Sequence, residues 1–318
     1  MSILRLSRVT MRFGGLVAVN ELDLEIAPRQ LYGLIGPNGA GKTTVFNVIT
    51  GVYTPTEGDI NFEGESIGGQ RCGRITRRGV ARTFQNIRLF SEMSVLDNVK
   101  VAFDCRQATT LTTAVLRTRS HKAEEDRVDV ESRELLKIFK LDHLADDKAK
   151  NLPYGSQRRL EIARAMATAP RLLLLDEPAA GMNPNESNDL MDLIRWIRDH
   201  FGMAILLVEH NMKVVMGICE TVHVLDYGST IAIGPPAEIQ NNPKVIEAYL
   251  GSGAAGAASI GKGQGQTGTP AVDANPVEAA PEAAAPGDPA AAASTDAAPA
   301  DRDLWGPQDA GRSDDGPA

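Results

Sequence analysis

The chain has 318 residues, 42% hydrophobic and 23% charged, with a net charge of −8, enough for one large domain with a sizeable core. Most of that charge lies in residues 252–318, where ten acids face only Lys262, Arg302 and Arg312. The remainder is close to neutral and offers no electrostatic footprint for nucleic acid.

Residues 252–318 are almost all Ala, Gly, Pro, Gln, Ser, Thr and acids, with Leu304 and Trp305 the only large apolar residues besides Ile260 and two valines. Such a composition cannot bury enough surface to offset its ordering entropy, so it predicts a disordered tail beyond a folded unit of 1–251. Cys72, Cys105 and Cys219 are odd in number and widely spaced, which suits a reduced, cytosolic protein rather than a disulfide framework or metal site. The N-terminus lacks the charged and apolar regions of a secretory signal. No apolar run approaches the roughly 18 residues that spanning requires, so any membrane role is expected to pass through partners.

In chain order, residues 3–9 and 22–26 alternate apolar and polar about Gly14-Gly15 and predict paired antiparallel strands. Leu31–Ile35 is an apolar run ending in a glycine-rich loop, and 43–50 reads as a helix. The loop, Gly36-Pro37-Asn38-Gly39-Ala40-Gly41-Lys42-Thr43, fits G-x-x-x-x-G-K-[ST] in full, and Thr44 follows. Its glycines let backbone N–H groups wrap phosphates, Lys42 reaches the β/γ oxygens, and the Thr43 hydroxyl is suited to Mg²⁺.

Residues 91–150 carry helical periodicity and many charges, with Leu135, Leu136, Ile138, Phe139 and Leu141 as an apolar stripe in the last helix of the group. They predict a helical subdomain of about 87–165 inserted into a sheet domain. Leu172–Asp176 and 204–209 are buried-strand runs next to helical stretches at 157–169 and 186–200. Strands so alternating with helices predict a largely parallel sheet covered on both faces. Asp176 at the strand end can serve the metal, and Glu177 can polarise a water for in-line attack on a γ-phosphate.

The combination resembles the ABC ATPase family, whose further segments occur here in order. Gln85, in Arg82-Thr83-Phe84-Gln85-Asn86, stands at the Q-loop, which in the family contacts the metal near the membrane subunits. Leu152-Pro153-Tyr154-Gly155-Ser156-Gln157 stands at the signature motif, Gly181-Met182-Asn183-Pro184 at the D-loop, and His210 at the switch histidine. The signature departs from the common Leu-Ser-Gly-Gly-Gln: Pro153 has no hydroxyl and Tyr154 replaces the first glycine. An aromatic against adenine is also implied, for which Phe13 is the available ring; a core position in the antiparallel sheet is its other reading.

The Leu-Pro-Tyr-Gly signature, Met11-Arg12-Phe13-Gly14-Gly15-Leu16 and Asn241-Asn242-Pro243-Lys244-Val245 with the residues to 251 resemble the LivG branch of branched-chain amino-acid importers. The resemblance implies a P-loop α/β fold with an N-terminal antiparallel β subdomain, ATP and Mg²⁺ as ligands, and a place at the cytoplasmic face of the cell membrane. It also implies two permease subunits, a second cassette (a LivF-like chain or a second copy) and a solute-binding protein. The signature would act in trans, on the nucleotide bound by the facing cassette. Importers of urea, amides or other amino acids, and lipid or lipopolysaccharide exporters, are the alternatives left open. A guanine-reading Asn-Lys-x-Asp motif does not occur.

Overall fold

The glycine pair at 14–15 closes a hairpin between β1 (Leu4–Phe13) and β2 (Leu16–Ile26), paired antiparallel from Leu4 opposite Ile26 to Phe13 opposite Leu16. The strands run longer than the alternation of 3–9 and 22–26 predicts. Register shifts between Leu6 and Arg12, with positive φ at Arg8 and Glu21, break the two-residue period without ending the pairing. The structure, a computed structural model, describes residues 2–103, 105 and 119–251. The expected tail of 252–318 lies outside the described residues.

After β3 (Leu31–Ile35), the chain returns to the hairpin with β4 (Glu57–Phe62) and β5 (Glu65–Ser66), giving an antiparallel sheet of order β2-β1-β4-β5. The second sheet comprises β3, β6 (Val80–Arg82), β7 (Leu172–Asp176), β8 (Ala204–Val208), β9 (Thr221–Asp226) and β10 (Ser229–Gly234). Its order is β10-β9-β3-β8-β7-β6, parallel except for the β9/β10 hairpin. Every residue of β3, β7 and β8 is buried. Side chains of β3 alternate between two cores, Leu31 and Ile35 facing one and Tyr32 and Leu34 the other. A strand covered on both faces therefore reads as an unbroken apolar run.

The α-helices among the described residues are α1 (Lys42–Ile49), α2 (Cys72–Arg77), α3 (Val95–Phe103), α4 (Arg119–Ile138), α5 (Tyr154–Met166), α6 (Pro184–Phe201), α7 (Met212–Ile218), α8 (Pro236–Gln240) and α9 (Pro243–Gly251). α3, α4 and α5 pack together through Val95, Val99, Phe103, Leu135, Leu136 and Leu160, each withdrawn from water. At roughly 1.5–3 kcal/mol per buried large side chain, this stripe is what gathers the highly charged α4 onto its neighbours. The stripe of 135–141 starts in α4, but Phe139 and Leu141 lie past its end, and the last helix of the group is α5. All three cysteines are free, Cys72 exposed and Cys219 buried. Among the described residues no helix is long and apolar enough to cross a membrane.

Parallel pairing places the carboxyl ends of β3, β6, β7 and β8 on one edge of the sheet. Gly36, Thr83, Asp176 and Glu209 emerge there side by side, although the chain between Gly36 and Glu209 spans most of the folded unit. That edge is where open parallel sheets hold ligands.

Candidate active site

The loop after β3 can be built only from glycine at its ends. A Cβ at Gly36 (φ 153°) would lie 2.1 Å from the Leu225 carbonyl, and one at Gly41 (φ 100°) 2.4 Å from that of Ala18. The loop is thereby pressed onto β9 and β2. The Lys42 ammonium lies at its centre, donating to the carbonyls of Gly36 at 2.8 Å and Pro37 at 2.9 Å. Burial pushes the Lys42 pKa down, while the carboxylates of Glu177 and Asp176 oppose that shift. α1 starts with no side-chain cap and no acid in its first turn. Its first amides are left for an anion, as is the positive end of its dipole.

Asp176, the last residue of β7, is buried and paired to Arg82 at 2.9 Å; Arg82 also donates to Asn47 at 2.7 Å. Glu177 follows with φ of 46°, a region that costs an ordinary residue about 1–2 kcal/mol. Its amide donates to Val208 O at 2.8 Å, which fixes this backbone to β8. The carboxylate is gripped on both sides, by His210 Nε2 at 2.6 Å and by Gln85 Nε2 at 2.9 Å. Beneath them the buried Glu209 accepts amides from Ala179 at 2.7 Å and His210 at 3.2 Å. Burial raises the Glu209 pKa, partly offset by those hydrogen bonds.

Lys42, Gln85, Glu177 and His210 share one cavity of about 490 Å³, lined also by Phe13, Asn38, Gly39, Ala40, Gly41, Thr43, Thr44 and Tyr227. Phe13 is at the hairpin tip, 40% exposed and edge-on to Tyr53 with ring centroids 5.1 Å apart. It is a rim residue and not part of the sheet core. Pro37 is buried beneath the loop and Asp176 behind Glu177.

The signature residues are elsewhere. Leu152 is buried, Pro153 is the N-cap of α5, and Tyr154, Gly155, Ser156 and Gln157 form its first turn; none lines the cavity. The helix begins at Tyr154 and not at 157, because Pro153 in an extended conformation hands directly into the first turn. Gln157 folds back to donate to Leu152 O at 2.9 Å, and the Tyr154 ring lies against Gly181.

Residues to which the sequence reading gave no role also meet here: Arg82, Arg158, Glu161, Glu209 and Tyr227. Arg158 and Glu161 are almost fully buried in an ion pair at 2.7 Å. The signal available in the sequence was their spacing, since Arg158 precedes Ile162 and Ala165 by four and seven residues and so shares the apolar face of α5.

A strand, a glycine loop wound about a lysine, a helix, and a second buried strand ending in two carboxylates define a P-loop ATPase of the cassette class. The chain matches the family model described as ABC transporter over residues 19–180, and that described as Branched-chain amino acid ATP-binding cassette transporter over 229–255. It is 49% identical over 250 residues to the high-affinity branched-chain amino acid transport ATP-binding protein LivG of Escherichia coli K12, covering 78% of this chain and 98% of that one. To the corresponding protein BraF of Pseudomonas aeruginosa it is 47% identical over 249 residues, with 78% and 98% covered. To the lipopolysaccharide export system ATP-binding protein LptB of Escherichia coli K12 it is 33% identical, with 79% and 98% covered. The crystal structure of the ADP conformation of MJ1267, an ATP-binding cassette of an ABC transporter, superposes with a TM-score of 0.69 at 30% identity, covering 79% of this chain and 99% of that one. The chain belongs to the ABC transporter ATP-binding family and is an ATP-hydrolysing subunit of such a transporter.

Proposed function

We propose that this chain powers the import of branched-chain amino acids, hydrolysing ATP at the cytoplasmic face of the cell membrane. The observation that supports the substrate is the similarity to LivG over 98% of its length, joined by the match at 229–255, which lies outside the phosphate loop and both carboxylates. In this reading residues 1–251 are the nucleotide-binding domain, with a helical subdomain at about 87–165, docked on two permease subunits. A second cassette, LivF-like or another copy, faces it, and a solute-binding protein delivers the amino acid to the permeases.

Lys42 and the amides from Gly36 to Thr44 hold the β- and γ-phosphates, and Phe13 at the cavity rim meets the adenine. A hydroxyl, an amide oxygen and a carboxylate, from Thr43, Gln85 and Asp176, form the hard-oxygen set that suits Mg²⁺. That ion, when bound, neutralises phosphate charge as the bond to the γ-phosphate breaks. Glu177 takes the proton of the attacking water, its carboxylate held between His210 and Gln85 in the cavity that Lys42 also lines. The first turn of α5, at the surface and outside this cavity, supplies its amides to the γ-phosphate of the facing cassette.

Uptake of labelled leucine in cells deleted for this gene tests the reading. Uptake should be lost, restored by the parent gene and not by Lys42→Ala. Normal leucine uptake in the deletion, with loss of urea, amide or lipid transport, would overturn the substrate.

A further inference from the structure

The guanidinium of Arg158 has no exposed surface and one neighbour of opposite charge, yet most of its donors point elsewhere. Nη1 donates to Phe84 O and to Glu161 Oε2, both at 2.7 Å. Nη2 donates to Gln85 O at 3.0 Å and is shared with Tyr154 Oη and Glu177 O, both at 3.4 Å. Glu161 completes the frame by accepting the Phe84 amide at 3.2 Å. One side chain thus ties three separate stretches: the segment of Gln85, the turn of Glu177, and the first turn of α5.

Stability alone does not account for this. A buried ion pair is often no better than apolar side chains of the same volume, since desolvation offsets the attraction. The donors instead converge on the backbones of Gln85 and Glu177, whose side chains are hydrogen-bonded to each other in the cavity, and on the Phe84 carbonyl beside them. The Glu177 backbone lies in a disfavoured conformation, so its position has to be imposed from outside. Tyr154 stands where the family's usual signature has glycine. Its ring rests on Gly181 while its hydroxyl shares the Nη2 donors with the Glu177 carbonyl.

Building on the function proposed above, we infer that Arg158 is a positioning residue that sets the geometry of Gln85 and Glu177 from the signature end of α5. Tyr154 connects it to the surface that meets the facing cassette. A displacement of the α5 first turn by the partner's nucleotide changes how Nη2 is divided between Tyr154 Oη and Glu177 O. Each cassette's own carboxylate is thereby aligned according to whether the opposite site is filled.

The test uses the full chain in its assembled transporter. Arg158→Met alone strands the Glu161 carboxylate and risks the fold, so Arg158→Met with Glu161→Met is made beside it. The double variant should bind a fluorescent ATP analogue within about twofold of the parent while kcat falls roughly 10- to 100-fold, as a small misplacement of the catalytic group would produce. Arg158→Lys keeps the charge but not the planar fork and should recover only part of kcat. Tyr154→Phe should lower kcat severalfold in the parent background and have no further effect in the double variant. Unchanged kcat in the double variant overturns the inference, as does an equal loss of nucleotide affinity, which marks a structural role alone. A parent transporter without ATPase activity strikes the functional reading itself, before any variant is compared.

Discussion

Two helices of this chain begin in the same manner and finish differently. α1 and α5 both start with no side-chain cap and no acid in the first turn, whereas α6 starts with Asn183 and Glu186 in a reciprocal capping box. The amides of α6 are satisfied by its own sequence, and those of α1 and α5 await something negative. Beside α1 the chain gathers Lys42, the loop, and the hydrogen-bonded Glu177, Gln85 and His210 cluster in one cavity. For α5 it supplies only the helix end, at the surface beside Gly181 and Glu186. A complete site and half of another in one chain is the pattern expected of a subunit whose nucleotide is held between two cassettes.

The largest effect is expected at the complete site. Glu177→Gln keeps the phosphate loop and the contacts to His210 and Gln85 within reach but removes the proton acceptor. ATP binding should persist while turnover falls by about 10²–10⁴-fold. Single-turnover hydrolysis in the assembled transporter measures this, and near-parent turnover would show that another group is the base.

The half site gives the next effect, and the one that separates the two helix ends. A Cβ at Gly155 would meet only the Glu186 carboxyl group, Oε1 at 3.5 Å and Cδ at 3.8 Å, so the chain has room for a side chain there. Gly155→Asp puts a carboxylate where a γ-phosphate should meet amides, opposing it by charge and by the helix dipole. Labelled ATP, photo-crosslinked with turnover blocked, should be lost from the partner's phosphate loop by roughly tenfold or more and retained on this chain. Label lost from this chain and kept on the partner would mean that α5 serves the cavity of Lys42, and the contrast between the two ends would collapse.

The complete site was legible in the sequence because its demands are local. Glycines at fixed spacing and a lysine after them report a backbone shape, and four leucines before Asp176 report a strand covered on both faces. The signature end was legible only by resemblance, since Pro153 and Tyr154 depart from the usual residues there. What joins the two was faint: Arg158 and Glu161 carry charges that on any helix suggest a solvated face, and only the spacing of Arg158 against Ile162 and Ala165 pointed to the buried side. β6 has three residues, too few to show a period, yet it sets Thr83 and Gln85 beside Glu177. Phe13 lay between two readings until the exposure of the hairpin tip placed it on the cavity rim.

The sheet below α1 provides a smaller effect, on stability. His223 in β9 is fully buried, bridging Tyr32 Oη at 3.2 Å and Thr230 Oγ1 at 2.7 Å. Burial pushes its pKa down from 6.5 to about 4. The unfolded chain therefore takes up a proton near pH 6.5 that the folded chain refuses until near pH 4. Stability is full above that window and is lost as the pH falls through it, by about 3 kcal/mol. Since β9 lies under Gly36, the loop of α1 should lose its support in the same range. Denaturant unfolding at pH 7.5 and pH 5 measures the difference, and His223→Gln should flatten it. A parent whose stability is level across that range would show that His223 is charged in the folded state.

The smallest effect is expected where neither helix end is involved. Residues 252–318 contain no glycine-lysine loop and no apolar set able to dock firmly, and their ten acids repel phosphate. Ending the chain after Gly251 keeps the whole of α9, whose Val245 is buried in the core shared by the helices and the large sheet. Both the complete site and the half site should therefore survive, and ATPase activity in the assembled transporter should stay within about twofold of the parent. The salt dependence adds a second measurement. If the acids act on the sites through long-range repulsion of ATP, the truncated chain should bind nucleotide slightly more tightly at low ionic strength and identically near physiological salt, where the Debye length is about 8 Å. A loss of activity on truncation that salt does not alter would instead reveal a specific contact, for which Leu304 and Trp305 are the groups to replace first.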